Sequence, residues 1–243
     1  MNSFAKKNII ITGGSGVIGG SLSNFLIKKN FKIFNFDKNP SKNKNVVNFR
    51  CDLNNRKQIK SKFFEFKKKY KIVFGLINCA GYASAKNALN YDIRKWDKTI
   101  SINLTAPFIL TKLVSNLMKS KKIKGSIINI TSISADMPMP DAIAYNVSKA
   151  GLKNLGKSFA VDLARYGIRV NNLSPGYTKT TMTIKSWKNK KKRKARTNKT
   201  LLSKWGSSED YNEAVYFLID PKKSGYMTGS DLIIDGGWTT KGL

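Results

Sequence analysis

The chain contains no histidine, and that absence removes more chemistry than any other. A Ser-His-Asp or Cys-His nucleophilic centre cannot be assembled, and a zinc site loses its commonest nitrogen ligand. Any general acid or base must be a tyrosine, lysine, aspartate, glutamate or cysteine. Cysteine is scarce too: Cys51 and Cys79 are the only two, each in or beside an apolar run, with no C-x-x-C spacing. They read as small buried side chains in a reducing compartment, so no metal site is expected. Long apolar stretches are missing as well, none approaching the roughly 20 residues that span a bilayer. Residues 1–7 run straight into the short apolar segment 8–12, which lacks the length and cleavage pattern of a secretory signal. The expectation is a cytoplasmic protein with no membrane partner.

Acidic residues are also few: 14 against 45 basic ones, for a formal charge of +31. A field of that sign attracts nucleic acid, anionic lipid or acidic substrates. The excess, however, is lysine (38 Lys against 7 Arg) spread over the whole chain and accompanied by 24 Asn. Arginine is the side chain suited to forked phosphate and base contacts. The balance therefore points to a general compositional lean, and a nucleic-acid partner is not expected. One block stands apart. Residues 184–204 read IKSWKNKKKRKARTNKTLLSK, with seven Lys or Arg among the nine residues 188–196. Like charges at that density repel one another and predict a mobile loop.

What is present is an alternation of short apolar runs with longer amphipathic ones. The apolar runs fall at 8–12, 32–36, 46–50, 72–78, 126–131, 169–173 and 231–235, with helix-like segments at 20–29, 55–70, 94–120, 144–166 and 208–219. This pattern predicts an α/β protein: a doubly wound parallel sheet of about seven strands with helices on both faces. No linker or repeat interrupts it, so residues 1–243 read as a single domain.

Directly after the first apolar run comes Thr12-Gly13-Gly14-Ser15-Gly16-Val17-Ile18-Gly19, opening a helix-like segment. Glycines at such a turn permit tight folding and close approach of a pyrophosphate to the helix N-terminus. Asp37 ends the second run, 18 residues beyond Gly19. That is near the spacing of about 20 at which an acid binds the adenosine ribose. A carboxylate there accepts from a free 2′-hydroxyl and repels a 2′-phosphate, which favours NAD(H). Lys38 follows at once, and keeps NADP(H) open.

Tyr145-Asn146-Val147-Ser148-Lys149 places a tyrosine and a lysine at i, i+4 on one helix face. Ser132 ends the run 126–131, thirteen residues before the tyrosine. Asn78-Cys79-Ala80-Gly81 ends another run, and Asn103 sits in Ser101-Ile102-Asn103-Leu104. With the glycine string, this ordered set resembles the short-chain dehydrogenase/reductase family in its single-domain, Rossmann-type form. The likeness spans residues 7–238 and includes Pro175-Gly176, Thr228-Gly229 and Asp235-Gly236-Gly237.

The resemblance implies roles. Tyr145 is the general acid/base, and Lys149 supplies the charge that stabilises a phenolate and also binds the nicotinamide ribose. Ser132 hydrogen-bonds the substrate oxygen, and Asn103 holds a water in a proton relay behind Lys149. Cofactor contacts are implied for Gly13, Ser15, Gly16, Ile18 and Gly19 at the glycine turn and for Asp37 at the ribose. Asp52 and Leu53 meet the adenine, while Asn78, Ala80 and Gly81 line the ribose and backbone. Pro175, Gly176, Thr178 and Thr180 hold the carboxamide. Two departures stand out: the family's middle glycine falls at Val17, with Gly16 one residue early, and Thr178 replaces an aliphatic residue.

The implied activity is hydride transfer between NAD(H) and a carbonyl or secondary alcohol on a sugar, polyol or related small molecule. Two alternatives stay open. One is an NADPH-dependent 3-oxoacyl-carrier-protein reductase, favoured by the basic segment and opposed by Asp37. The other is a non-catalytic nucleic-acid-binding Rossmann protein, which leaves the Asn103, Ser132, Tyr145 and Lys149 set unexplained. In the family the segment after Pro-Gly forms a lid over the substrate, here about 184–204. Either it attracts an anionic substrate or it is a solvated loop whose ends are anchored by Trp187 and Trp205. A homotetramer or homodimer is implied through segments 94–120 and 144–166 and the C-terminal strand.

Overall fold

A computed structural model describes residues 7–241. Residues 1–6 and 242–243, the two ends of the predicted domain, lie outside the described residues, and so does nearly all of the 1–7 lead-in. Strand β1 (Asn8–Thr12) carries Ile9, Ile10 and Ile11, all fully buried, as a strand covered on both faces requires. Strands β2 (Lys32–Asp37), β3 (Val47–Arg50), β4 (Gly75–Asn78), β5 (Ser126–Ile130), β6 (Arg169–Pro175) and β7 (Asp231–Ile234) complete one seven-stranded sheet. Its order is β3-β2-β1-β4-β5-β6-β7, and every pairing is parallel. The predicted α/β class and doubly wound topology are those of the protein.

The connections carry helices α1 (Val17–Lys28), α2 (Arg56–Tyr70), α3 (Ile93–Ile100), α4 (Ala106–Ser120), α5 (Ile143–Leu163), α6 (Ile184–Lys188), α7 (Lys190–Asn198) and α8 (Asn212–Ile219). Strand side chains alternate between two apolar layers. Ile10, Phe34 and Phe36 face Phe63 and Phe66 of α2 and Leu110 and Val114 of α4. Ile9 and Ile11 face Leu22 and Leu26 of α1 and Val215 and Leu218 of α8. Helix α2 shows how a lysine-rich segment folds: Ile59, Phe63 and Phe66 recur on one buried face while its lysines take the other. Asn55 caps it, accepting from the Lys57 and Gln58 amides.

Two segments differ from expectation. Helices α3 and α4 are joined by a π-helical turn, Ser101–Thr105, into a 28-residue run (Ile93–Ser120) long and apolar enough to cross a membrane by length and composition. A search for uninterrupted apolar residues misses it, because lysines punctuate its outer face. Leu110, Val114, Leu117 and Met118 are packed in the core. The basic segment, expected as a loop, carries helices α6 and α7. Trp187 packs edge-on against buried Trp205, ring centroids 5.2 Å apart. Arg193 lies 5.1 Å over Trp187 and Arg196 4.7 Å over Tyr177. These cation–π contacts, with Asn189 capping α7, offset the repulsion among its exposed lysines.

Candidate active site

The sheet register levels the strand ends. Thr12 lies opposite both Phe36 and Asn78, and Asn78 opposite Asn129. The turns that follow the strands therefore open on one rim, at the carboxyl edge of the sheet and astride the β1/β4 reversal of strand order. A cleft of about 410 Å³ follows this rim. In strand order its wall runs from Asp52 and Leu53 past Asp37, through Gly13, Gly16, Ile18 and Gly19, to Ala80 and Gly81. It continues to Tyr145, Lys149, Pro175, Gly176, Thr178 and Thr180.

The glycine turn is as compact as backbone allows. A Cβ on Gly13, whose φ is +69°, would stand 2.7 Å from Ala80 Cα. One on Gly19 would stand 2.2 Å from the Gly13 carbonyl oxygen. The Thr12 hydroxyl accepts from the Cys79 and Ala80 amides, each at 3.1 Å, locking the two turns together. No side chain caps the start of α1. Its first amides and the positive end of its dipole are left for an anion such as a pyrophosphate. Val17, where the usual string has glycine, is the first helical residue and lines the cleft. Ser15 does not line it: its amide donates to Asp37 (3.3 Å) and its hydroxyl to the Asn39 carbonyl (2.6 Å).

At the far end Asp37 also accepts from the Asn39 amide at 3.1 Å. Lys38 forms an ion pair with Asp52, Nζ to Oδ2 2.9 Å. Burial alone would raise the Asp52 carboxyl, but the Asn54 amide and the Lys38 ammonium hold it below its usual range.

At the other end, helix α5 presents Tyr145 and Lys149 one turn apart. Lys149 is 3% exposed, and its ammonium donates to the Ile130 carbonyl at 2.7 Å, 5.6 Å from the Tyr145 ring centroid. Burial pulls the amine down to about 8. It pushes the Tyr145 phenol up, opposed by a hydrogen bond with the Ser132 hydroxyl. That hydroxyl also accepts from the Ser134 amide at 3.1 Å. A half-buried phenol, a serine hydroxyl and a buried ammonium thus converge at this end of the cleft.

Asn103 sits on the π-helical turn, a feature frequent at functional sites. Its amide brackets the Tyr82 backbone, accepting from the N–H at 2.8 Å and donating to the carbonyl at 2.9 Å, and donates to Ser148 at 2.9 Å. It joins the strap after β4 to α5 without reaching the cleft wall. Asn78 is likewise turned inward. It donates to Asn129 (2.9 Å), which donates to Asn172 (3.1 Å), a polar ladder across β4, β5 and β6. Neither Ser15, Asn78, Asn103 nor Ser132 lines the cleft, although Ser132 touches Tyr145. The predicted set lacks Val17, Cys51, Cys79, Tyr82, Lys98 and Met182, all of which do. Residues 180–183 reach the wall; none of residues 184–204 does.

Comparison with known proteins agrees with this geometry. A family model described as enoyl-(acyl carrier protein) reductase matches residues 36–239. An uncharacterized oxidoreductase of Thermotoga maritima is 30% identical, covering 97% of this chain and 96% of its own. A 3-oxoacyl-[acyl-carrier-protein] reductase of Rickettsia typhi is 35% identical, covering 98% of both. A solved 4-hydroxyisoleucine dehydrogenase complexed with NADH superposes with a TM-score of 0.93 at 32% identity, covering 97% of this chain and 99% of that one.

Proposed function

Because the chain belongs to the short-chain dehydrogenase/reductase family, oxidoreductases acting on CH–OH groups, we propose that it passes hydride between NAD(H) and a small carbonyl or secondary-alcohol substrate. The observation that carries this reading is the convergence of Tyr145, Ser132 and Lys149 at the end of a cleft whose other end holds Asp37. When bound, the nicotinamide supplies or accepts the hydride. The chain's own residues do the rest. The Tyr145 phenol, kept neutral by burial, gives its proton to the carbonyl oxygen as reduction proceeds. Ser132 donates a hydrogen bond to the same oxygen. Lys149, charged at neutral pH because its amine titrates near 8, stabilises the phenolate left behind. Asn103 acts as a positioning residue by fixing the Tyr82 strap against α5.

Asp37 supports NAD(H) at the ribose end, as does the NADH in the 4-hydroxyisoleucine dehydrogenase. A second reading, NADPH-dependent reduction of 3-oxoacyl groups on a carrier protein, is supported by the Rickettsia relative. Exposed Phe108, Val147 and Val161 on α4 and α5 support assembly into a homodimer or homotetramer. The test is NADH absorbance decay across a panel pairing neutral sugars and ketones with phosphorylated and acyl-carrier carbonyls of similar size. Substitution Tyr145→Phe should cut turnover about 10²- to 10⁴-fold while NADH still binds. Undiminished turnover in that variant would refute the assignment, and turnover confined to acyl-carrier substrates would favour the second reading.

A further inference from the structure

The adenosine end of the cleft holds a cation that its cofactor assignment does not use. Lys38 follows Asp37 directly, and both line the cleft with Asp52. In the β2–β3 pairing Asp37 stands opposite Arg50, so Lys38 and Asp52 emerge just past the paired ends of neighbouring strands. The Asp37 carboxylate is tied to the glycine turn through the Ser15 amide and to its own loop through the Asn39 amide. It is fixed where a ribose hydroxyl would meet it. A free ammonium one residue away would be placed to meet a 2′-phosphate. Here that ammonium is 2.9 Å from Asp52, whose carboxylate is itself held by the Asn54 amide at 2.9 Å.

We propose that Asp52 is a cofactor-selectivity residue: by pairing with Lys38 it withholds the cation that follows Asp37 on the cleft wall and would favour a 2′-phosphate. The proposal rests on NAD(H) being the preferred cofactor and names what maintains that preference. The Lys38 side chain is 54% exposed and that of Asp52 32%, so the pair is weak and screened by salt. It biases selection and does not enforce it. Lys98 also lines the cleft and acts on Asp52 through its charge, so the double variant is needed to separate the effect of Lys38 from that of Lys98.

Equilibrium titrations of NADH and NADPH against the whole chain test this in wild type, Asp52→Asn, Lys38→Met and the double variant. The quantity read is the ratio of the two dissociation constants, in which any loss of adenine contact common to both cofactors cancels. Asp52→Asn should shift the ratio toward NADPH by about three- to tenfold, the scale of one exposed charge pair. Lys38→Met should change it less than about twofold alone, yet abolish the gain when combined with Asp52→Asn. A gain that survives loss of Lys38 overturns the proposal, because removal of negative charge would then suffice. No shift in Asp52→Asn overturns it as well. A wild type that already prefers NADPH refutes the NAD(H) reading, while the coupling between the two positions still decides the role of the pair.

Discussion

Replacing Lys149 by methionine should destroy activity and stabilise the fold. The amine is 3% exposed, and burial lowers it from 10.5 to about 8. That displacement amounts to roughly 3 kcal/mol borne by the charged form in the native state. Methionine fills similar space without the charge, but leaves the Ile130 carbonyl without the 2.7 Å bond it receives from Nζ, a loss of about 1–3 kcal/mol. The net expectation at pH 7 is a gain of about 1 kcal/mol, or about 2–4 °C in Tm for a chain of this size. The sign can be checked through pH. Between about 8 and 10.5 the unfolded chain holds the Lys149 proton and the folded chain does not, so wild-type stability from this group is full above 10.5 and is lost as pH falls through 8. The melting temperature of Lys149→Met minus that of wild type should therefore be largest below pH 8 and shrink toward pH 10.5, other titrations cancelling in the difference. Turnover should fall by at least about a hundredfold. A variant less stable than wild type at pH 7, or a difference flat in pH, would mean that the ammonium is well solvated and the argument from its burial is wrong.

Two further outcomes are expected. Gly19→Ala would set a Cβ 2.2 Å from the Gly13 carbonyl, so the glycine turn must move. It should cost about 1–3 kcal/mol in thermal unfolding and weaken NADH binding, whereas unchanged melting and binding would contradict the tight packing of that turn. For assembly, light scattering should give two or four times the chain mass. Val161→Lys, at a valine 79% exposed on α5, should lower that mass, and a wild-type monomer at both low and high salt would refute the assembly.

What the sequence carries openly are contacts made within one element or one turn. Tyr145 and Lys149 meet because they share a helix face, and Gly13 and Gly19 because they share a loop. Helix α1 begins at Val17, earlier than the 20–29 pattern, since Gly19 and Gly20 read as turn residues although Gly19 serves close packing inside the helix. Contacts set by sheet register are hidden. The Lys38–Asp52 pair exists because β2 and β3 bring 37 and 50 side by side. Asn78 looks like a cofactor ligand until the register aligns it with Asn129 and Asn172. The helices within residues 184–204 are hidden too, because Tyr177 and Trp205, which hold Arg196, lie outside the charged block.

The charge of +31 takes on a different meaning once the acids are located. Many are held by backbone amides, and two by one half-buried cation. Asp92 accepts from the Arg94 amide, Asp210 from Ser207, Asp220 from Lys222 and Asp235 from Gly237 and Thr239, each at a helix start or turn. Asp136 and Asp231 both pair with Lys153, at 2.5 and 2.8 Å. The lysines of α7 are exposed and stand off the cleft wall. On that wall Asp37 and Asp52 face Lys38, Lys98 and Lys149, so local charge is close to balanced where a cofactor would lie. An anion drawn toward the protein by its surface field is therefore held in the cleft chiefly by the amides of the glycine turn and the α1 dipole. Surface lysine then governs the salt dependence of encounter, and backbone geometry governs what stays bound.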